Sequence, residues 1–395
     1  MRSIRFLSFL AVSGLLLAAC GGAASPAPSS AAPAPASAAA KPSAATSASA
    51  KPAASGAAAA SASAKPAGSA SAAAGGQVGP PEKAKLTMAI GGASQFIYWP
   101  ATLAKQLNYY KDEGLDVDIQ DFSGGAKAEE AMLGGSADVV TGFYDHSISL
   151  QPQGKFIQTF TLFDNYPALV LLVDKQKAGS IKSFADLKGK KVGVTAPGSS
   201  THYMVNYLAS QSNISPNDFS IVGVGTGQTA IAAIKNHQVD AEVTVDPAAT
   251  QLVQTGDAVI MYDTRTQKGT QEVFGGTYPA GGYYAQTDWI KKYPNTVQHL
   301  ANAGVKTLAY IQTHKPDEIA AKMPQEFLGG DKNLTLQALT DSMSLFSKDG
   351  LVPQDGPATV QKVLANFDPK VKAANINLQD TYSNVYAQRA AALVK

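Results

Sequence analysis

The sequence predicts two α/β lobes, each built on a mostly parallel sheet, and three observations lead there. After Pro81, short β-rich runs alternate with helical patterns, the order that parallel α/β layers require. The same order of strand, Gly-rich loop and helix returns about a hundred residues later. The 314 residues that follow Pro81 exceed what one core usually organises, which points to units of about 100 to 150 residues.

The first unit reads in order. Lys85 to Ile90 is a strand and Gly91 to Gln95 a loop. Pro100 to Tyr109 is a helix whose proline suits its first turn. Leu115 to Ile119 is the second strand; Gly124-Gly125 then leads into a helix from Ala126 to Leu133, stopped by Gly134-Gly135. Ala137 to Thr141 is the third strand.

The second unit repeats it. Lys191 to Ala196 is a strand, Pro197 to Ser200 a loop and Thr201 to Ala209 a helix. Phe219 to Val224 is a strand, Gly225-Thr226-Gly227 precedes the helix Gln228 to Asn236, and Ala241 to Val245 closes the unit. The offsets agree: 106 residues from Gly92 to Gly198, 102 from Gly125 to Gly227, and 102 from Asp138 to Asp240. Each lobe thus presents Gly-rich loops beyond the carboxyl ends of its strands, where open α/β sheets bind ligands.

Ala168 to Val173 and Gly281 to Gln286 are apolar runs suited to crossing between lobes. Helices fill the C-terminal third: Thr287 to Lys291, Thr296 to Thr313, Asp317 to Glu326, Leu336 to Lys348 and Pro357 to Phe367. With two crossings, one lobe takes residues 83–170 and 284–395, and the other takes 171–283.

The N-terminal stretch has a different character. Arg2 and Arg5 precede an apolar run from Phe6 to Leu17, and Leu-Ala-Ala-Cys ends at Cys20, which is the secretory-signal pattern for residues 1–20. The run is shorter than the roughly 20 apolar residues of a spanning helix. Leu17-Ala18-Ala19-Cys20 resembles the bacterial lipobox, which implies lipidation at Cys20 and an extracytoplasmic, membrane-anchored protein. From Gly21 to Pro80, 27 residues are Ala, 12 Ser, 8 Pro and 7 Gly, too few apolar side chains to offset ordering entropy. Residues 21–82 are therefore expected to form a tether of roughly 40 Å mean span.

Charge and cysteine narrow the function. Of 32 cationic and 30 anionic residues, five cations and no anion precede Glu82, so the remainder carries 27 minus 30, or −3. It has no basic block interleaved with aromatics, which argues against nucleic acid. Cys20 is the one cysteine, so no disulfide, thiolate metal site or catalytic thiol is available elsewhere. His146, His202, His237, His299 and His314 lack metal-ligand spacing, so no metal and no cofactor are expected. Arg265 and Arg389 are the only arginines after the signal, leaving no evident guanidinium pair for an anion.

Ligand contacts are expected on the repeated loops. Pro197-Gly198-Ser199-Ser200-Thr201 joins a strand end to a helix start, where backbone N–H groups and hydroxyls suit an anion; ordinary serine capping is the bland alternative. It lacks the Gly-Lys-Ser/Thr ending of a phosphate loop. Its counterpart Gly91 to Gln95 offers Ser94 and the Gln95 amide, followed by the aromatics Phe96, Tyr98 and Trp99, which suit either a ligand wall or a core. Asp145 and Asp246 follow the third strand of each unit; each reads as a helix cap or as a carboxylate facing the cleft, where it would hold an ammonium or amidine. His202 beside Ser200 lacks a nucleophile elbow and reads as a first-turn helix residue.

Tyr98-Trp99-Pro100 through Lys105, then Tyr110-Lys111-Asp112-Glu113-Gly114-Leu115-Asp116-Val117, resembles a pattern of the nitrate/taurine/sulfonate-type solute-binding proteins of ABC importers, with Tyr110 replacing their usual phenylalanine. Ile181 to Gly193, leading to Gly198-Ser199, is similar to that family's second-lobe start. The resemblance implies two Rossmann-like lobes joined by a two-strand hinge, the type II periplasmic-binding-protein fold. It also implies a monomer that captures a small nitrogen- or sulfur-containing molecule and delivers it to a membrane permease. By matching positions it implies contacts from Ser94, Gln95, Tyr98, Gly124, Gly125, Tyr144 and Asp145 of the first lobe. From the second lobe it implies Ser199, Ser200, Thr201 and Asp246, with Tyr278 near the hinge. Fungal thiamine-pyrimidine synthases share the fold, but their cysteine-rich cluster has no counterpart here, so a binding protein is expected and not an enzyme. A ligand-sensing ectodomain partner of a membrane receptor is the remaining alternative.

Overall fold

In the computed structural model, which describes residues 78–394, the chain forms two five-stranded sheets of matching order. Lobe 1 contains β1 (Lys85–Ile90), β2 (Asp116–Asp121), β3 (Val139–Phe143) and β4 (Ile157–Leu162). Lobe 2 contains β5 (Val170–Asp174), β6 (Lys191–Val194), β7 (Ser220–Gly223), β8 (Ala241–Thr244) and β9 (Ala258–Asp263), and β10 (Gly281–Gln286) returns to lobe 1. The orders are β2-β1-β3-β10-β4 and β7-β6-β8-β5-β9. Strands β1 to β3 and β6 to β8 pair in parallel, as the sequence repeat predicts.

The first strand after each passage between lobes inserts antiparallel: β5 between β8 and β9, and β10 between β3 and β4. The passages themselves are residues 163–169 and 275–280. Ala168 to Val173 and Gly281 to Gln286 were the expected crossings. Their apolar character instead reflects central strands buried on both faces, and the expected boundary at residue 284 falls inside β10. The two passages hold each other at Asp164, whose N–H donates to the Gly281 carbonyl at 3.2 Å and whose carbonyl accepts from Ala280 N–H at 3.2 Å. Burial pushes the Asp164 carboxyl well above the usual carboxylate range.

The longer helices are α1 (Trp99–Gln106), α2 (Gly125–Leu133), α3 (Ser200–Gln211), α4 (Gln228–Lys235), α5 (Ala248–Gln254), α6 (Gln267–Phe274), α7 (Pro294–Thr313), α8 (Lys332–Ser342), α9 (Gly356–Ala365) and α10 (Val385–Leu393). The expected helix Asp317 to Glu326 is broken. Pro316–Ala320 is helical, and a single 3-10 turn, Gln325–Leu328, follows Pro324, which has no N–H to continue the ladder. The helix expected at Leu336 to Lys348 begins earlier, where Asp331 accepts from Asn333 N–H and Leu334 N–H, and it ends at Ser342. Strands β4 and β9 and helices α6 and α10 had no sequence expectation, and α5 only the cap read at Asp246.

The signal peptide and most of the expected tether lie outside the described residues. The last residues assigned to the tether are held by the fold: the Gly79 carbonyl accepts from His299 Nε2 at 3.0 Å, and Glu82 caps α7 by accepting from Asn295 N–H and Thr296 N–H.

Strand β10 runs through the centre of lobe 1 with its backbone pressed on β4. A Cβ on Gly282 would stand 2.4 Å from the Thr161 carbonyl oxygen, which the sheet does not let move. Gly282→Ala is expected to destabilise the protein by about 1–3 kcal/mol, read as a lower urea midpoint without loss of cooperativity.

Candidate ligand cleft between the lobes

The carboxyl ends of β1 and β3 meet those of β6 and β8, and the first turns of α2 and α3 start in the same place. Gly92 (φ +127°) and Gly198 (φ +87°), paired by the sequence repeat, both turn through the left-handed region that glycine favours. The lobes meet directly. Phe96 N–H donates to the Asp246 carbonyl at 3.1 Å, Ala126 N–H donates to Ser199 Oγ at 3.0 Å, and Ser200 Oγ donates to Asp145 Oδ1 at 2.8 Å. A Cβ on Gly124 would be 2.9 Å from the Ala196 Cβ of the facing lobe, so glycine is what lets the backbones approach. The cavity left between the lobes is about 20 Å³, roughly the space of one water.

Gly91, Gln95, Tyr98 and Phe143 line it from lobe 1, Thr195, Ser199, Ser200 and Thr201 from lobe 2, and Leu169 from the first passage. No lysine or arginine is among its walls. Ser199 stands at the N-cap position of α3 without bonding that helix through its side chain; its hydroxyl accepts from the first turn of α2 across the cleft. Two helix starts therefore converge on one hydroxyl, a partially positive pole.

Against the same start of α3 stands Asp145, wholly buried, whose carboxylate accepts from Ser200 Oγ and from the Tyr278 hydroxyl at 3.0 Å. Burial raises the Asp145 carboxyl, opposed by the His146 cation and by these two hydroxyl donors. Behind it the His146 ring is also fully buried, with Nδ1 at 2.5 Å from Glu129 Oε2 and Nε2 at 4.0 Å from Asp145 Oδ1. Burial lowers the His146 pKa, but the Glu129 carboxylate outweighs it and the net shift is upward.

The structure places the predicted residues unequally. Gln95, Tyr98, Gly125, Ser199, Ser200 and Thr201 line the cavity; Asp145 and Tyr278 do not, but lie behind Ser200, whose hydroxyl donates to Asp145, which also accepts from Tyr278. Ser94 and Gly124 lie in direct lobe-to-lobe contact, Ser94 against Gly227 and Gly124 against Ala196. Tyr144 turns away, its hydroxyl bonded to Thr381 Oγ1. The Asp246 carboxylate also turns away. It accepts from Thr250 N–H at 2.8 Å at the start of α5 and pairs with Arg265 at 3.3 Å, and Arg265 also holds Asp263 at 2.6 Å. Asp145 bonds no helix N–H through its side chain, so of the two aspartates expected as caps, only Asp246 caps. His202 accepts from Gly198 N–H at 3.0 Å and shapes the loop. Cys20 lies outside the described residues. Phe96 and Trp99 are core.

Sequence reasoning counted Gly91 only as part of its loop and gave no role to Phe143, Thr195 and Val245, although each sits at or near the end of an expected strand, the position the fold uses for ligands. It also passed over Glu129, one turn into a helix with no motif around it. Among the described residues, no group of three or more His, Cys, Asp or Glu is arranged to hold a metal. A larger cavity of about 640 Å³ opens at the opposite strand ends, near the start of β4 and the end of β10. Its Lys155 and Lys291 stand beside Asp288 and Asp380, and no loops from the two lobes converge on it.

Glu129→Gln leaves the buried His146 without its anion and is expected to cost about 3 kcal/mol. Because the folded His146 pKa lies above its ordinary value, the pair stabilises fully below about pH 6.5. That contribution is lost as pH rises through the raised value, so thermal unfolding across pH 5–9 should show an alkaline decline that the variant lacks.

Comparison with known proteins places the fold. The family described as NMT1/THI5 like matches residues 96–319. A solved protein of Bordetella bronchiseptica is 44% identical, with a TM-score of 0.77 over 78% of this chain and 98% of that one. The alkanesulfonate-binding protein SsuA from Xanthomonas axonopodis pv. citri, solved bound to MOPS, is 18% identical with a TM-score of 0.59 over 77% of this chain and 99% of that one. The periplasmic nitrate-binding protein NrtA from Synechocystis is 16% identical, with a TM-score of 0.59 over 80% and 90%. A 4-amino-5-hydroxymethyl-2-methylpyrimidine phosphate synthase of Schizosaccharomyces pombe is 24% identical over 162 residues, 41% of this chain. The chain spans about half the length, 45%, of the curated relatives it matches. With the match covering more than half of the sequence and the paired sheets in the order described, the chain belongs to the NMT1/THI5-like family and has the fold of the nitrate/taurine/sulfonate-type solute-binding proteins.

Proposed function

We propose that the protein is the extracytoplasmic binding subunit of an ABC importer, anchored through Cys20, and that it captures a small molecule bearing an N–H donor or ammonium group. The observation that carries this reading is Asp145, a buried carboxylate bonded directly behind the lining residue Ser200, in a site whose walls offer no cationic side chain. A simple anion would meet that carboxylate unshielded except by His146, whereas an amine or ring N–H would be its partner. The convergent starts of α2 and α3 can take an acidic or carbonyl oxygen of the same ligand. Tyr98 and Phe143 supply flat apolar walls. A zwitterion or an amino-bearing polar ring meets all three demands.

Binding without chemistry is the reading because the cleft joins two lobes that can part and close on a ligand. The pyrimidine named in the curated relatives' activity is an amino-bearing ring, and it belongs to the same ligand chemistry.

Native mass spectrometry of the protein purified without unfolding tests this: an adduct whose mass belongs to an amine-bearing molecule is expected, and a plain sulfonate or nitrate would overturn the reading. With the released molecule, Asp145→Asn should weaken binding by about 100-fold, the loss of a charge-assisted bond of about 2–3 kcal/mol. The same change should raise the melting temperature by about 2 °C or more by removing a buried charge. Asp246→Asn should leave affinity within about threefold while destabilising the fold, because Arg265 is left with Asp263 alone and the charge-assisted cap on Thr250 N–H is lost. Cys20→Ala should move the protein from the detergent phase to the aqueous phase in phase partitioning.

A further inference from the structure

Direct closure joins Asp145 of lobe 1 to Ser200 of lobe 2 while Glu129, His146 and Asp145 form one buried cluster. With both carboxylates and the imidazole ionised, that cluster carries a net charge of −1 sealed from water. With Asp145 protonated it is neutral. Sealing the first form is the costly one, since a buried charge must be compensated or neutralised.

We propose that Asp145 makes closure of the cleft conditional on a positive charge: either a proton or the N–H group of a ligand must compensate it before the lobes can meet, and His146, held by Glu129, is the positioning residue that sets how readily. The ligand half of this statement rests on the function proposed above; the proton half does not. The device would keep the unloaded protein open at neutral pH, so that the closed form reports occupancy.

The other titratable groups that face Asp145 do not supply the missing charge. Tyr278 on the second passage donates to it, and Tyr98, Tyr203 on α3 and Tyr284 on β10 surround it. Burial raises all four phenols, so they stay uncharged throughout the range of interest. Glu129 on α2 is the remaining charge, and its carboxylate faces His146. His202, nearer the cleft mouth, bonds Gly198 and is pushed down by burial.

The sign follows from linkage. Asp145 is raised in the closed form and returns toward the ordinary value of about 4 when the cleft is hydrated. The closed form therefore binds the proton more tightly, and it is favoured as pH falls. A one-proton linkage changes the closed-to-open ratio by at most about tenfold per pH unit.

The test is pulsed double electron–electron resonance between spin labels on Lys127→Cys and Asn236→Cys, exposed positions of the two lobes, in a Cys20→Ser chain freed of small molecules by dialysis. A short distance should dominate at pH 4.5 and a longer one at pH 8. Asp145→Asn, neutral and similar in shape, should keep the short distance at both pH values. His146→Gln should move the midpoint to higher pH, because the His146 cation no longer opposes protonation of Asp145. Identical distance distributions at both pH values in the parent chain would overturn the proposal, as would an Asp145→Asn chain that opens with pH as the parent does. A midpoint unmoved by His146→Gln would remove His146 from the device. No outcome depends on the ligand's identity, so a plain anion found by mass spectrometry would sink the ligand reading and leave the proton linkage to stand or fall by these distances.

Discussion

A carboxylate that is out of water must be satisfied from all sides, and Asp145 obtains its partners from elements that nothing else brings together. Ser200 comes from the first turn of a lobe 2 helix, Tyr278 from the second passage, and His146 from the residue next in the chain. A carboxylate in an apolar setting without such donors costs several kcal/mol, more than a typical fraction of a domain's net stability. The cleft is thus a place where the fold holds together only when two lobes and a connecting passage agree. The lobes are joined by several direct hydrogen bonds, among them Ser200 to Asp145, Tyr203 to Ser149 and Ser342 to Asp246, each worth about 0.5–1.5 kcal/mol net. The desolvation of one ionised carboxyl is of the same order, so its charge state bears on the balance.

That agreement depends on how the chain crosses. Each passage delivers a strand antiparallel into the middle of the receiving sheet, between the third parallel strand and the edge strand. Strands β5 and β10 are fully or nearly fully buried. The passages leave edge strand β4 and helix α6, end in sheet interiors, and are pinned to each other at Asp164 and Gly281. Tyr278, which bonds Asp145, lies on the second of them, so the carboxylate is in direct contact with a passage between the lobes.

Most of the parallel framework was legible because period and punctuation agree there. The strand Lys85–Ile90 has the bounds the sequence suggests, and the glycines at 92 and 198 share the left-handed conformation that their repeat implies. What the sequence concealed are features set by tertiary neighbours. Gly281 to Gln286 reads as an isolated apolar run, and only its pairing with β3 and β4 shows that it belongs wholly to lobe 1. Strand β9 is partly exposed at a sheet edge and carries no clean alternation. In the cleft, the loop residues were legible from glycine and hydroxyl content. The pairing of Glu129 with His146 was not, because the two lie on different helices and their meeting is a property of packing.

The two aspartates show how a repeat can diverge in use while keeping its geometry. Asp145 and Asp246 follow equivalent strands, and both precede a helical turn. In lobe 2, Arg265 follows β9 closely enough to fold back on Asp246, and Thr250 N–H takes the other oxygen. Its oxygens are thus engaged by a guanidinium shared with Asp263, by a helix N–H and by the Ser342 hydroxyl of the other lobe, so its acceptors are taken up away from the cavity. In lobe 1 the cation is an imidazole 4.0 Å away, itself neutralised by Glu129, so Asp145 keeps a charge that its own lobe does not fully answer. An unanswered buried carboxylate is a liability in a structural element and a recognition group in a cleft. Arg265 on one carboxylate and an imidazole on the other distinguish the two sites of the repeat.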